Sequence, residues 1–284
     1  MVKDLEDNWI REVSSMNKLE GFVGKDKLRG RPIRLNRQRL NLKNGKEYAE
    51  LIFFGDLHYG HPGCDIERAA RMRDYCLCKG VYVLGMGDYV EAGLRESVGD
   101  SVYEQELNPQ KQLEFVIEFL EPLAKKGLLL GLLAGNHEAR ILKATSVNIV
   151  KIMARVLGVP YLHYACWNLF YVGEESYTVY ALHGTTSSRF VHTKLKALVD
   201  ISHNFDADLI VMGHVHELAD ASTLVQKVDR KRKTVTERKK FLLLTGHYLR
   251  YDRSYAQEKG LPLGKMGSPK AKLFANKHDI HISY

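Results

Sequence analysis

The 284-residue chain lacks most of what marks a secreted or membrane protein. Its four cysteines, Cys64, Cys76, Cys78 and Cys166, form no CxxC pair, and four thiols in a chain this long make no disulfide framework. Reduced thiols and a cytoplasmic location are therefore expected. Long apolar runs are missing as well: the longest, "GLLLGLLAG", falls far short of the roughly 18 residues of a spanning helix. The opening stretch "MVKDLEDNWI" has no basic segment followed by an apolar one, so no secretion signal and no membrane partner are expected. There is no internal repeat and no low-complexity tract. No CxxxxxR cradle is present, which excludes the chemistry of tyrosine phosphatases.

What the chain does have is enough apolar material for a sizeable core, at 45% hydrophobic residues, and an uneven charge. The formal net charge is +8, but residues 25 to 46 alone hold nine Lys or Arg against one Asp, and residues 227 to 240 hold eight against two acids. The rest of the chain is net acidic. Two basic segments on an acidic body suggest local contacts with a polyanion, although each run also reads as a solvated tail or hairpin tip.

Short, branched, glycine-closed runs ("AELIFFG", "VYVLGMG", "LLLGLLAG", "DLIVMG") suit buried strands. Between them, "DIERAARMRDYCLCK", "NPQKQLEFVIEFLEPLAKK" and "VNIVKIMARVLG" carry apolar residues at helical spacing, the second with Pro109 near its start, where proline is tolerated. The second half, with "CWNLFYV", "YTVYALHG", "ASTLVQKV" and "KKFLLLTG", is rich in strands and hairpins. This order predicts an α/β fold of two packed mixed sheets flanked by helices. A composition shift near residue 47 predicts a basic N-terminal extension, 1–47, on one catalytic domain, 48–284.

The chemically capable residues follow these strands. After the first comes "GDLH" with Asp56 and His58; after the second, "GDYVE" with Asp88 and Glu91; after the third, "GNHE" with Asn136, His137 and Glu138. Later come "LHG" with His183 and "GHVH" with His214 and His216. Ligand sites of α/β sheets lie at the C-terminal ends of strands, and carboxylate with imidazole suits a divalent transition ion. Seven nitrogen or oxygen donors exceed what one ion needs, which argues for two ions sharing a carboxylate. The flanking glycines are expected to let the backbone turn and to leave room for a substrate phosphate.

The ordered set GDxH, GD, GNH[ED], HG and GHxH resembles the calcineurin-like metallophosphoesterase superfamily over residues 50–217, and more loosely to 284. The resemblance implies that Asp56, His58 and His216 hold one metal, that Asn136, His183 and His214 hold the second, and that Asp88 bridges them. It implies two divalent ions, manganese foremost, with iron, zinc, cobalt and nickel also compatible. It further implies that a hydroxide between the ions attacks phosphorus, with His137 beside the scissile phosphate to protonate the leaving oxygen or stabilise its charge. The family's fold, two mixed sheets between helices, agrees with the strand pattern.

The serine/threonine phosphatases of this superfamily carry GDxVDRG, whereas this chain reads "GDYVEAG". Glu91 can still orient His137, but Ala92 cannot clamp phosphate as an arginine would. The expectation is a phosphodiesterase acting on nucleic acid, a nuclease, with Arg230, Lys231, Arg232 and Lys233 as backbone contacts. Arg140 either reaches a phosphate or pairs with Glu138. The alternatives are a small-molecule or cyclic nucleotide phosphodiesterase, a protein phosphatase, and a scaffold without catalysis. His61, close to the first motif, reads as a loop or substrate-facing residue; His163, His192, His203, His247, His278 and His281 have no partner motif and read as structural or surface residues. "GHYLRYDRSYAQEKG" reads either as a base-stacking strip or as a packed connection.

Overall fold

A computed structural model describes residues 35–43, 45–95, 103, 105–184, 190–252, 257, 260 and 263–284. The apolar, glycine-closed runs become the central strands of two sheets. In the first, β2 (Tyr48–Phe54), β3 (Tyr82–Gly85) and β4 (Leu129–Leu132) run parallel. The helices α1 (Ile66–Lys79) and α2 (Pro109–Lys125) connect them. The antiparallel strands β10 (Lys270–Phe274) and β11 (Ile280–Ser283) extend this sheet to the order β11-β10-β2-β3-β4.

The second sheet has the order β1-β5-β6-β7-β9-β8. It comprises β1 (Leu35–Arg39), β5 (Ala165–Val172), β6 (Glu175–Leu182), β7 (Leu209–Met212), β8 (Leu218–Asp229) and β9 (Thr234–Thr245). Helices α3 (Asn136–Thr145) and α4 (Ile149–Leu157) follow β4, and α5 (Val191–Ser202) precedes β7. Two mixed sheets flanked by five helices among the described residues match the expected α/β sandwich. No helix among the described residues is long and apolar enough to cross a membrane.

Local chemistry accounts for the helix ends. Asp65 accepts from the Arg68 amide at 3.1 Å, and Gly80 closes α1 in the left-handed region. Asn108 caps α2, and Pro109 occupies its first turn, where no amide partner is needed.

Packing explains why β7 reads as an unbroken apolar run. Leu209 and Val211 join Phe170, Val179 and Leu243 in the core, together with Leu51, Phe53 and Val83 of the first sheet. Ile210 and Met212 join Leu242, Leu244 and Leu198, the last on α5. Alternate residues thus bury opposite faces, and neither face is left for polar side chains.

Residues 35–39, within the segment read as an extension, form β1 and pair in parallel with β5 from Leu35↔Trp167 to Arg39↔Tyr171. Residues 1–34 lie outside the described residues. The stretch from Gly246 onward is a packed connection as far as it is described: Tyr248 is fully buried with its hydroxyl 3.0 Å from Ser268 Oγ, and Arg250 pairs with Asp65. Arg253 and Tyr255 lie outside the described residues.

Candidate metal centre

Strands of both sheets end at one place. Asp56 and His58 leave β2, Asp88 leaves β3 and Asn136 leaves β4, while His183 follows β6 and His214 and His216 follow β7. Five of these seven residues hold left-handed backbone: Asp56 (φ 48°), His58 (51°), Asp88 (52°), His214 (68°) and His216 (51°). That region costs a non-glycine residue about 1 kcal/mol or more, so the surrounding hydrogen bonds must over-determine it. They do: the Asp56 amide donates to Gly87 O, the Leu57 and His58 amides both donate to Asp88 O, and the His214 amide donates to the Asp56 carboxylate at 3.0–3.1 Å.

The seven donors gather into two sets. Asp56, His58 and His216 form one, and Asp88, His183 and His214 the other; a further group of candidate ligand atoms, His58, Glu91 and His137, shares His58 with the first. In the first, His58 Nε2 lies 3.0 Å from His216 Nε2, which lies 3.4 Å from Asp56 Oδ1. In the second, His183 Nε2 lies 3.0 Å from Asn136 Oδ1 and 3.3 Å from Asp88 Oδ2. Asp88 Oδ2 is also 3.9 Å from His58 Nε2, so this carboxylate stands between the sets. Ligands about 2.1 Å from a shared ion sit about 3.0 Å apart on an octahedral edge and about 3.4 Å apart on a tetrahedral one. The donor spacing fits two divalent ions.

Outer partners fix the imidazoles for that task. His183 Nδ1 donates to Met86 O at 2.8 Å, and His58 Nδ1 faces Glu91 Oε2 at 3.2 Å, which turns both Nε2 atoms inward. Burial pushes the His183 pKa down, but the Asp88 carboxylate more than reverses this and takes it to about 10. Burial pushes Asp88 up, yet His183 and His137 hold it well below the usual carboxylate range. A proton on His183 Nε2 and a metal ion would compete for one position.

The calcineurin-like phosphoesterase family model matches residues 50–218, the segment that carries all seven donors. The chain belongs to the calcineurin-like phosphoesterase family. Several solved structures are similar to it. A conserved uncharacterized protein from Streptococcus pneumoniae, described as a predicted phosphoesterase, is 12% identical, with 83% of this chain and 88% of that one covered at a TM-score of 0.38. A metallophosphoesterase from Sphaerobacter thermophilus is 12% identical over 82% and 86%, at a TM-score of 0.33. A Vps29 double mutant from Entamoeba histolytica is 13% identical over 82% and 89%, at a TM-score of 0.31. No curated protein matches the chain.

Around this phosphoesterase centre the remaining candidate residues take distinct positions. His137 Nδ1 donates to Glu91 O at 2.7 Å, so Nε2 faces the centre, and burial lowers its pKa to about 4. The Glu91 carboxylate reaches both His58 and His137, at 3.2 and 3.5 Å, so it supports a metal donor as well as the histidine it was expected to orient. Arg140 does not pair with Glu138. Its Nη1 lies 3.7 Å from Glu91 Oε1, and its Nη2 donates to His137 Nε2 at 3.0 Å.

Glu138 carries a role that no motif spacing announces. Its carboxylate accepts from the amides of Asp88 (3.1 Å), Tyr89 (2.6 Å), Val90 (3.3 Å) and Gly135 (2.9 Å), tying the loop after β3 to the start of α3. Burial and the nearby Asp88 charge raise its pKa to about 7. Gly135 leaves room for a carboxylate of the protein itself, since a Cβ there would run into Asp88 Oδ1.

Two further buried histidines flank His216. His247 stacks on it with ring centroids 4.9 Å apart, and His61 accepts from the Gly63 amide. Arg230, Lys231, Arg232 and Lys233 are not brought to the centre. They form the turn at the far end of the β8–β9 hairpin, whose 12-residue strands put the turn roughly 37 Å from the end beside His216.

Proposed function

We propose that the chain is a two-metal phosphodiester hydrolase that acts on nucleic acid. The observation that carries the reading is the Asp88 carboxylate, placed between two donor sets whose spacings suit two ions. Bound there, the ions lower the pKa of water and neutralise charge on the phosphoryl oxygens. Asp56, His58 and His216 would hold one ion and Asn136, His183 and His214 the other, with Asp88 available to both. His137, anchored through Nδ1 on the Glu91 carbonyl, keeps Nε2 toward the leaving oxygen. Arg140 is engaged by Glu91 and by His137 Nε2 and so offers no free clamp for the dianion of a monoester, which favours a diester. Ala92, buried and uncharged where the related protein phosphatases carry an arginine, supports the same preference.

Nucleic acid is favoured over a small diester by the charge map. Without its two basic segments the chain is net acidic, so a polyanion gains affinity mainly from those segments. The test is a screen of the purified protein with manganese against single-stranded DNA, duplex DNA, RNA and cyclic nucleotides. Cleavage of a nucleic acid supports the reading. Turnover confined to cyclic nucleotides replaces it with a small-molecule esterase, and protein that binds no metal and turns over no diester overturns it.

A further inference from the structure

The β8–β9 hairpin has more strand than its sheet uses. β7 pairs with β9 only from Phe241 to Leu244, whereas β8 and β9 pair with each other along their whole length, from Leu218↔Thr245 to Asp229↔Thr234. Residues 223–240 therefore extend past the sheet as a two-stranded ribbon. Its two faces differ. Lys240 donates to Ser202 O and Phe205 O at the end of α5, and Arg238 pairs with Asp206 and Asp208, so this face is tied to the body. On the opposite face Leu224, Gln226, Val228, Val235, Glu237 and Lys239 are all exposed. Leu224, Val228 and Val235 are 66%, 65% and 62% exposed, and Val228 and Val235 stand directly opposite each other.

The turn is ordered by its own acid. Asp229 Oδ1 accepts from the amides of Lys231 (2.9 Å) and Arg232 (3.0 Å), which fixes the loop with its side chains outward. Arg230, Lys231 and Lys233 make no ion pair among the described residues, and Arg232 only a 3.9 Å contact with Asp229. The ribbon thus combines an open face, on which the pair Gln226 and Glu237 separates Leu224 from the facing valines Val228 and Val235, and a cluster of four cations at its tip.

We propose that this ribbon enters the major groove of duplex DNA, with the four tip cations on backbone phosphates and Leu224, Val228 and Val235 against the groove floor. The proposal rests on the reading of the chain as a nucleic acid hydrolase. A B-form major groove, about 12 Å wide, admits a two-stranded ribbon and presents thymine methyls to apolar side chains. The major groove of A-form RNA is too narrow for this, which selects DNA. An anionic membrane would also attract the cations, but stable surface binding needs apolar area buried in the bilayer as well as charge. Here the apex is wholly cationic and the apolar residues lie behind it.

Fluorescence anisotropy of the full chain on a 24-base-pair duplex with phosphorothioate linkages, which resist cleavage, tests this. Replacing Arg230, Lys231, Arg232 and Lys233 with Ser should weaken DNA binding at least about tenfold at 0.1 M salt. It should also reduce the slope of log affinity against log salt by about 0.9 for each phosphate that the tip no longer neutralises. The double variant Val228→Ser and Val235→Ser should weaken binding severalfold and leave the slope unchanged. Duplex RNA of the same sequence should bind the wild type at least about tenfold more weakly than DNA. Unchanged DNA affinity in the tip variant, equal binding of RNA and DNA, or loss of binding only to phosphatidylserine vesicles would each overturn the proposal. Turnover of a small chromogenic diester, measured in parallel, judges the hydrolase reading separately: its absence in the wild type sinks that reading whatever the ribbon does.

Discussion

The candidate metal centre and the tip of the β8–β9 ribbon sit at opposite ends of the same two strands and hold their residues in opposite ways. At the centre every donor is buried or half-buried, five of seven stand in left-handed backbone, and amides and carboxylates from several loops fix them. At the tip four cations stand in water on a turn held by a single carboxylate. Chemistry needs donors placed within a few tenths of an ångström, and only a network that resists local relaxation supplies that. Contact with a polyanion needs charge and reach, and flexible exposed side chains supply both. Function at the centre should therefore fail abruptly under single substitutions, and function at the tip gradually.

The largest expected effect is at the shared carboxylate. Asp88→Ala removes the group between the two donor sets, so turnover of any phosphodiester should fall to background. Elemental analysis should show fewer than two ions per chain. A variant that keeps measurable turnover would mean that one donor set suffices.

Gly135→Ala tests the same network without touching a donor. The added Cβ would meet Asp88 Oδ1 and the Asp88 amide, and neither can move without breaking the Glu138 or His137 hydrogen bonds. Activity should drop nearly as far as in Asp88→Ala, with weakened metal binding. Wild-type activity in this variant would show that the loop after β3 is looser than its hydrogen bonds imply.

Next comes His137→Asn, which should keep both metals and lose rate: Nε2 accepts from Arg140 in this structure, so it can protonate the leaving oxygen, a step usually worth about 10² to 10⁴, only once it turns from Arg140 and takes up a proton. Diesters with good leaving groups should suffer least. If metal content falls along with rate, His137 is a metal donor. Glu91→Gln should be milder. It alters an outer partner of His58, and such changes typically weaken metal affinity by about 10- to 100-fold, measurable by competition with a chelator.

The contrast between the two regions also explains how far each was legible in the sequence. The seven donors stand out because each follows an apolar strand and a glycine, a pattern that chain-local reading detects. Glu138 does not stand out, because its function is to accept amides of residues 88 to 90, about 50 positions away. Helix α3 begins on the motif residues themselves, so their chemistry masks its periodicity. Strand β1, "LNRQR", has no apolar alternation and forms through its backbone ladder with β5 and through the side-chain amides of Asn36, donating to Asn168, and Gln38, donating to Leu130 O, partners that lie about 90 to 130 positions away in the chain. The cations of the hairpin turn were evident as composition, but composition carries no distance. Only the strand pairing shows that they are remote from the centre.

The smallest expected effect follows from that distance. At roughly 37 Å a unit charge in water interacts with another by only about 0.1 kcal/mol before screening. At 0.1 M salt the Debye length is about 10 Å, which cuts this to a few hundredths of its value. Four tip cations together then change the energy of a small anion at the metal centre by about 0.01 kcal/mol. The quadruple Ser variant should turn over a small chromogenic diester with kcat/KM within experimental error of the wild type. Its melting temperature should be unchanged, since exposed surface substitutions of this kind usually stay within about 0.5 kcal/mol. Lowering the salt to 0.01 M stretches the Debye length to about 30 Å and still leaves the effect near 0.1 kcal/mol. A severalfold loss of small-diester turnover in this variant would mean that the ribbon bends back to the centre in solution. Catalysis and contact would then belong to one site, not two.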